Sequence, residues 1–235
     1  MASVVAPRCG TRPLKAPAQL RLTGGRRLLS PPGHDTRPTT ARVREAVMNI
    51  LAPHLDGCRW LDLCSGSGVM ACEALQHGAE MVVAVENHPA TARICSKNVQ
   101  TVRDSLADEP QIKVIRQDVV HWLQRDWTEP AFDLVYFDPP YDADLYSQVI
   151  HQLSCGGWLH NESLVICEHR SRRTPVTDPS WTVKDQRKYG ISSLLMLSPP
   201  ERCRPVDTGS MPPQTDPKAL RESDPERCRT AEVRS

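Results

Sequence analysis

Between residues 21 and 198, short apolar segments alternate with amphipathic segments, and this alternation constrains the fold more than any other feature. The apolar segments have the length and continuity of buried strands, whereas the segments between them have helical periodicity. Strands are predicted at 60–63, 81–85, 112–115, 132–137, 164–168 and 193–197. Continuous apolar strands that alternate with helices predict an α/β fold, a Rossmann-like, mostly parallel twisted sheet with helices on both faces.

Helices are predicted between these strands at 66–76, 92–99, 119–124 and 145–153. A further helix precedes the first strand. Pro38 excludes a helical conformation at the residue before it, so this helix begins at the following threonines and ends before Pro53. Ligands of parallel α/β sheets bind beyond the carboxyl ends of the strands. The residues that follow each predicted strand are therefore the candidates for chemistry.

The net charge of +1 hides a marked asymmetry. Residues 1–44 contain nine Lys or Arg and one acid, while residues 45–198 contain 13 basic and 20 acidic residues. A basic arm on an acidic body predicts a polyanionic partner that binds through the N-terminal segment. The alternative is a solvated basic leader that binds nothing.

The two ends of the chain lack the composition of a packed core. Residues 199–235 contain seven prolines and no aromatic residue, and residues 1–20 have a similar composition, which an organellar transit peptide would share. We predict a disordered leader (1–20), a basic docking segment that includes the start of the first helix (21–44), a catalytic domain (45–198) and a disordered tail (199–235). Nine cysteines without a CxxC pair, and eight histidines without ligand spacing, predict reduced thiols in the cytoplasm and no metal site.

The first predicted strand runs into a glycine-rich loop, Asp62-Leu63-Cys64-Ser65-Gly66-Ser67-Gly68. Glycines permit a tight turn and a close approach of a ligand to the backbone, and the following helix offers free N–H groups. Nucleotide, dinucleotide and S-adenosylmethionine sites share this pattern, and a simple tight turn would also satisfy it. We predict that Asp62, Gly66, Ser67 and Gly68 contact a cofactor.

Two further acids follow the second and third predicted strands. Glu86 lies 18 residues after Gly68, where a carboxylate can accept hydrogen bonds from both hydroxyls of an adenosine ribose. Asp118 is placed to receive an adenine amino group, and it would serve equally well as the N-cap of the helix that begins at Val119.

The most specific motif, Asp138-Pro139-Pro140-Tyr141, follows the fourth predicted strand. The prolines remove two backbone donors and force extended geometry, which leaves a carboxylate and a fixed carbonyl beside a tyrosine ring. Two acceptors and an aromatic face suit the exocyclic amine of a nucleobase, whose lone pair they can direct at a methyl donor. The motif therefore predicts methylation of a base amine by positioning and electrostatics, without a covalent intermediate.

Together these motifs resemble the bacterial RsmD-like methyltransferases, which modify the N2 amine of one guanine in small-subunit (16S) ribosomal RNA. The matching stretches are 23–28, 37–45, 62–68, 73–75, 138–141 and 188–190. The resemblance implies a class I methyltransferase fold that uses S-adenosyl-L-methionine, with Asp138 to Tyr141 around the target base. It implies ribosomal RNA, or an assembling small subunit, as the partner. The arginines that we predict to dock this RNA are Arg26, Arg27, Arg37, Arg42 and Arg44.

Three departures from the family pattern accompany the resemblance. Cys64-Ser65 stands where Phe-Ala is usual, Ala71 stands where glycine is common, and the basic N-terminal hairpin is short. The sequence leaves three other functions open: an adenine-N6 methyltransferase, a dehydrogenase, and a non-catalytic RNA-binding or ribosome-assembly protein. We expect the protein to be a monomer.

Overall fold

The computed structural model describes residues 19–31, 39–140 and 145–201, all within one compact unit. The predicted leader and Pro-rich tail, apart from residues 19–20 and 199–201, lie outside the described residues. No helix in the described part of the chain is long and apolar enough to cross a membrane.

Helices and strands alternate along the described chain. The five helices are α1 (Ala41–Leu51), α2 (Val69–Gln76), α3 (Pro89–Arg103), α4 (Val119–Leu123) and α5 (Tyr146–Cys155). The seven strands are β1 (Arg59–Leu63), β2 (Met81–Val85), β3 (Gln111–Ile115), β4 (Phe132–Phe137), β5 (Leu159–Arg170), β6 (Thr182–Tyr189) and β7 (Ser192–Ser198). As predicted, α1 begins just after the threonines, and the Thr40 side chain accepts a hydrogen bond from the Val43 N–H.

All seven strands form one sheet in the order β3-β2-β1-β4-β5-β7-β6. The first five of these are parallel, whereas β7 runs antiparallel to both β5 and β6. The predicted mostly parallel α/β sheet is confirmed. Because β1, β2, β3 and β4 are parallel, the polar residues that follow them lie along one edge of the sheet, which we call the active edge.

Strand β6 is absent from our prediction, and α2 begins later than predicted. Most of the β6 side chains are exposed because β6 forms the outer edge of the sheet, so its sequence contains no apolar run. Exposed edge strands commonly carry charged residues, which discourage pairing with other chains. Helix α2 begins at Val69 rather than near Gly66, since Gly66 and Gly68 both have positive φ angles.

A short N-terminal hairpin (residues 20–28) packs into the domain. Its strands are joined by hydrogen bonds from the Leu22 N–H to the Arg26 carbonyl and from the Leu28 N–H to the Leu20 carbonyl, both 2.9 Å. All three leucines are buried in the core that fills one face of the sheet. A second core fills the other face, so helices and hairpin together cover both sides.

Candidate active site

The glycine-rich loop turns sharply at the end of β1. A β-carbon built on Gly66 would meet no atom within 4 Å, so the backbone there borders open space. A β-carbon on Gly68 would lie 2.7 Å from Cys95 Sγ, so the absence of a side chain allows α2 to pack against α3. Gly66 thus offers a ligand access to the backbone, whereas Gly68 is required for packing.

Cys64 is the only non-glycine residue with a positive φ angle in the part of the chain that the structure describes, at 60°. An L-residue in this conformation costs roughly 1–2 kcal/mol, and such residues concentrate at functional sites. The hydrogen bond from the Ser65 N–H to the Val85 carbonyl, 3.0 Å, fixes the loop next to it. Nothing in the sequence marks Cys64 for this role, because positive φ is expected at glycine.

Glu86 lies directly beside the glycine-rich loop. Its Oε2 accepts a hydrogen bond from the Gly66 N–H at 2.9 Å, and its Oε1 accepts one from the His88 N–H at 2.8 Å. These two bonds orient the carboxylate at the end of β2, where it is only partly buried. A carboxylate has about four lone-pair sites, so it retains acceptor capacity toward the open space at Gly66.

Asp62 and Ser67 hold the loop to the domain behind it. Asp62 is 1% exposed, and its Oδ2 accepts a hydrogen bond from the Ala71 N–H of α2 at 3.0 Å. Burial, with a smaller contribution from Glu86, raises the pKa of the Asp62 carboxyl to about 8, so it is mostly neutral at pH 7. The Ser67 carbonyl accepts a hydrogen bond from Asn98 Nδ2 at 2.9 Å.

Asn98 of α3 also connects this loop to the N-terminal hairpin. Its Oδ1 accepts a hydrogen bond from the Leu29 N–H at 2.8 Å, and its Nδ2 donates to the Leu29 carbonyl at 3.0 Å. The same amide donates to Ser67. One buried side chain therefore ties the segment that follows the hairpin to the glycine-rich loop. Asn98 is not among the predicted site residues, because a single polar residue inside a helix carries no recognisable pattern.

Asp118 adopts one of the two roles that its sequence position allows. Its Oδ1 accepts a hydrogen bond from the His121 N–H at 3.0 Å, which makes it the N-cap of α4. The side chain is exposed at the active edge, and a contact between its carboxylate and an adenine amine stays a prediction.

Asp138 lies at the end of β4, next to the end of β1. Its backbone N–H donates to the Leu63 carbonyl at 3.4 Å, and its Oδ2 accepts a hydrogen bond from Thr39 Oγ1 at 3.3 Å. Pro139 is buried and Pro140 is exposed, while Tyr141 lies outside the described residues. The hydroxyl just before α1 thus orients the carboxylate that follows β4.

The acids that lie at the ends of β1 to β4 converge around the thiol of Cys64. Its pKa is raised far above the usual range, first by burial and then by four nearby acids, in the order Glu86, Asp138, Asp62 and Asp118, with Asp62 contributing only where its carboxyl is ionised. These acids follow or end four different strands, so the active edge is strongly electronegative around the glycine-rich loop. A cation is stabilised there, whereas a pyrophosphate is repelled.

Arg44 requires a correction. We predicted an RNA contact, but the side chain is buried, with 5% of its surface exposed. Its Nη1 donates to the Thr39 carbonyl at 2.7 Å, its Nη2 donates to the Arg21 carbonyl, and its Nε lies 3.4 Å from Glu73 Oε1. These partners give Arg44 an internal role in place of the phosphate contact.

Glu73 of α2 is the centre of this buried network. It is fully buried, and its Oε1 also accepts hydrogen bonds from the Thr23 N–H at 3.0 Å and from Thr23 Oγ1 at 3.1 Å. The network links the hairpin, α1 and α2. The other predicted RNA-docking residues differ: Arg27 and Arg42 are exposed, Arg26 is partly exposed, and Arg37 lies outside the described residues.

Comparisons with known proteins give the family of the chain. A family described as "Conserved hypothetical protein 95" matches residues 21–198. Ribosomal RNA small subunit methyltransferase D of Haemophilus influenzae is 32% identical over 172 residues, which cover 73% of this chain and 88% of that protein. The protein of the same name from Escherichia coli K12 is 30% identical over 177 residues, which cover 73% of this chain and 86% of that one.

The solved structure of the yhhF protein from Escherichia coli is 28% identical and has a TM-score of 0.65, over 77% of this chain and 98% of that one. The sheet order and this likeness identify the fold as that of the class I methyltransferases. The family match spans the sheet from the hairpin to the last strand. The chain therefore belongs to the Conserved hypothetical protein 95 family, the RsmD-like methyltransferases.

Proposed function

We propose that the protein methylates the exocyclic N2 amine of a guanine in small-subunit (16S) ribosomal RNA, with S-adenosyl-L-methionine as cofactor. The observation that supports this most is the position of two carboxylates on either side of the glycine-rich loop. Glu86 is bonded to the Gly66 N–H, and Asp138 is bonded through its own N–H to Leu63. We also infer that the protein works as a monomer and that it acts in the cytoplasm.

The charge of the active edge favours this cofactor over a dinucleotide. When bound, S-adenosylmethionine supplies an electrophilic methyl group on a positively charged sulfur. Glu86 and Asp118 provide a negative field around the loop, which stabilises a sulfonium and repels the pyrophosphate of a dehydrogenase cofactor. Glu86 would bind the ribose hydroxyls, and Asp118 would receive the adenine amine.

Asp138 would act on the target amine. Its carboxylate, which accepts a hydrogen bond from the Thr39 hydroxyl, would also accept a hydrogen bond from the amine N–H of a base that has been flipped out of its stack. This contact would turn the amine so that its lone pair points at the methyl carbon, and it would stabilise the positive charge that the nitrogen gains as the nitrogen–carbon bond forms and the carbon–sulfur bond breaks. Loss of one proton from the nitrogen then gives the neutral methylated amine. The carbonyl groups of the two following prolines provide further acceptors without competing N–H donors.

Digestion of the RNA product to nucleosides tests the proposed reaction. Small-subunit RNA, free or in partly assembled subunits, is incubated with the protein and a methyl-labelled cofactor. We expect the label in N2-methylguanosine. Label in N6-methyladenosine would mean that the target base is adenine rather than guanine. Cofactor binding without transfer to any of these substrates would favour a non-catalytic RNA-binding protein.

Glu86→Gln is expected to weaken cofactor binding. Glutamine keeps one acceptor oxygen but removes the charge, so the hydrogen bonds to the ribose lose their charge assistance, worth roughly 1.5–3 kcal/mol per bond in the native site. Calorimetry measures the affinity, with Glu109→Gln as the control because Glu109 is an exposed acid on the loop before β3. Unchanged affinity in a folded Glu86→Gln protein would remove Glu86 from the cofactor site.

The exposed arginines near the hairpin are expected to control the salt dependence of RNA binding. Each phosphate contact contributes about 0.7 to the slope of log affinity against log salt for single strands and about 0.9 for duplexes. Replacing Arg26, Arg27 and Arg42 with glutamine should therefore flatten the slope by about 2 to 3. Filter binding over a salt series measures it, and the control replaces Lys97, Arg103 and Arg125. Equal slopes in the two variants would mean that RNA docks elsewhere.

A further inference from the structure

A second concentration of positive charge lies far from the hairpin in the sequence. Residues 169–190 contain six of the 13 basic residues found between 45 and 198, but only two of the 20 acids. The basic residues are Arg170, Arg172, Arg173, Lys184, Arg187 and Lys188. All six are exposed, on a domain that is otherwise acidic.

Strand pairing brings this segment to the active edge. Arg170, the last residue of β5, pairs with Ser192, and Ser192 pairs with Tyr189 at the end of β6. The register between β4 and β5 aligns Phe137 with Cys167, so Arg170 lies just beyond the level of Asp138 on the neighbouring strand. Adjacent strands are about 4.8 Å apart, so the basic segment begins beside the proposed base-binding motif.

The turn that follows β5 is fixed by its own hydrogen bonds. His169 is 1% exposed, and its Nδ1 lies 2.9 Å from the Arg170 carbonyl and 3.1 Å from the Arg173 carbonyl. The Ser171 N–H donates to the Ile191 carbonyl at 2.9 Å, and its hydroxyl donates to the Gly190 carbonyl at 3.1 Å. We call residues 170–173 the edge arginine turn. Its backbone is held rigidly, which reduces the entropy lost when its arginines bind a ligand.

Arg170, the first residue of the edge arginine turn, faces the same side of the sheet as the N-terminal hairpin. Side chains alternate along a strand, so Arg170 shares a face with Glu168, whose Oε2 accepts a hydrogen bond from Tyr136. Tyr136 belongs to the core that buries the hairpin leucines. The edge arginine turn therefore begins on the face of the sheet against which the hairpin packs.

We propose that the edge arginine turn, together with Arg187 of β6, is a second RNA-docking surface that binds the phosphate backbone beside the flipped base. This inference rests on the proposed function, because it takes ribosomal RNA as the ligand. Arginine binds phosphate with two parallel hydrogen bonds, and an enzyme that flips a base must hold the backbone that flanks it. Of the 20 acids between residues 45 and 198, 18 lie outside residues 169–190, so the two basic regions are the ones whose charge favours a polyanion.

A variant with Arg170, Arg172 and Arg173 replaced by glutamine tests the docking surface. We expect weaker RNA binding and a salt slope that is lower by about 2 to 3, since up to three phosphate contacts are lost. Cofactor affinity and the thermal midpoint should match the wild-type values, because the replaced side chains are exposed. The control removes three cations from another part of the domain, Lys97 and Arg103 of α3 and Arg125, which follows α4. The single variant Arg172→Glu provides a second test that changes only one exposed side chain.

The outcomes separate this inference from the proposed function. If the triple variant and the control bind RNA with equal affinity and equal salt slopes, the edge arginine turn does not dock RNA, and an acidic protein would become its candidate partner. If the wild-type protein transfers no methyl group but the triple variant still loses salt-dependent RNA binding, the docking surface stands and the proposed reaction is wrong. Reduced RNA affinity with normal transfer at saturating RNA supports both.

Discussion

Asp138→Ala is expected to slow methyl transfer to RNA by about 10²–10³-fold, the usual loss when one preorganised polar contact to a transition state is removed. Asp138 meets the amine only after the cofactor and the base are in place, so cofactor affinity should stay at the wild-type value. Asp138→Asn should also be impaired, because it keeps an acceptor but loses the negative charge that faces the alkylated nitrogen. Single-turnover transfer of a labelled methyl group measures the rate.

The control for this experiment is Asp104→Ala, which removes an exposed carboxylate from the end of α3. Cofactor affinity and the thermal midpoint are measured on the same preparations. Near-wild-type turnover in Asp138→Ala would exclude Asp138 from catalysis. Joint loss of turnover and cofactor binding would instead make Asp138 a residue of the cofactor site. Thr39→Val should give a smaller loss of rate, since it removes only the hydroxyl that orients the carboxylate.

Arg44→Met or Glu73→Gln is expected to lower the free energy of unfolding by about 3–5 kcal/mol, because each substitution leaves the other partner of a buried ion pair uncompensated. Both side chains are almost wholly inaccessible to solvent, so water cannot replace the missing partner. Denaturant unfolding measures the change. The exposed pair of Arg187 and Asp185 is the control, since breaking it should cost no more than about 1 kcal/mol.

A double variant, Arg44→Met with Glu73→Met, sharpens this prediction. It removes both charges together, so it should be less destabilised than the sum of the two single changes predicts. Additive losses would mean that the two side chains stabilise the fold independently of each other. A loss below about 1 kcal/mol in the single variants would mean that water reaches the pair.

Sequence patterns predicted the buried strands of the sheet but not its exposed edge strand β6, because only burial produces an apolar run. Strands β1, β2 and β4 are largely buried between the two cores, so each contains an apolar run that stands out in the sequence, whereas the edge strand β3 is only partly buried. Strand β6 lies at the sheet edge and is covered by neither core, so its charged residues resemble a loop. The polar start of β5 was missed in the same way, because residues 160–163 interrupt its apolar run.

The candidate site was predictable where its residues follow strands and unpredictable where they depend on tertiary contacts. Glu86 and Asp138 were found because the carboxyl ends of parallel strands meet at one edge. Arg44 looked like the exposed arginine at position 42, and only the packing of α1 against Glu73 of α2, 29 residues away, shows that it is buried. The positive φ of Cys64 depends likewise on contacts that no local pattern encodes.

The hydrogen bonds from Asn98 to Leu29 and from Thr23 to Glu73 have a consequence for how the choice of RNA target can differ between related enzymes. A docking element that hangs from a flexible linker can be exchanged between proteins as a cassette. This hairpin cannot, because its leucines complete the core, Thr23 bonds to Glu73 of α2, and Leu29, just after the hairpin, shares Asn98 with the glycine-rich loop. If the hairpin docks RNA as proposed, new RNA targets arise by substitution at its exposed positions, such as Arg27, while its three buried leucines are retained.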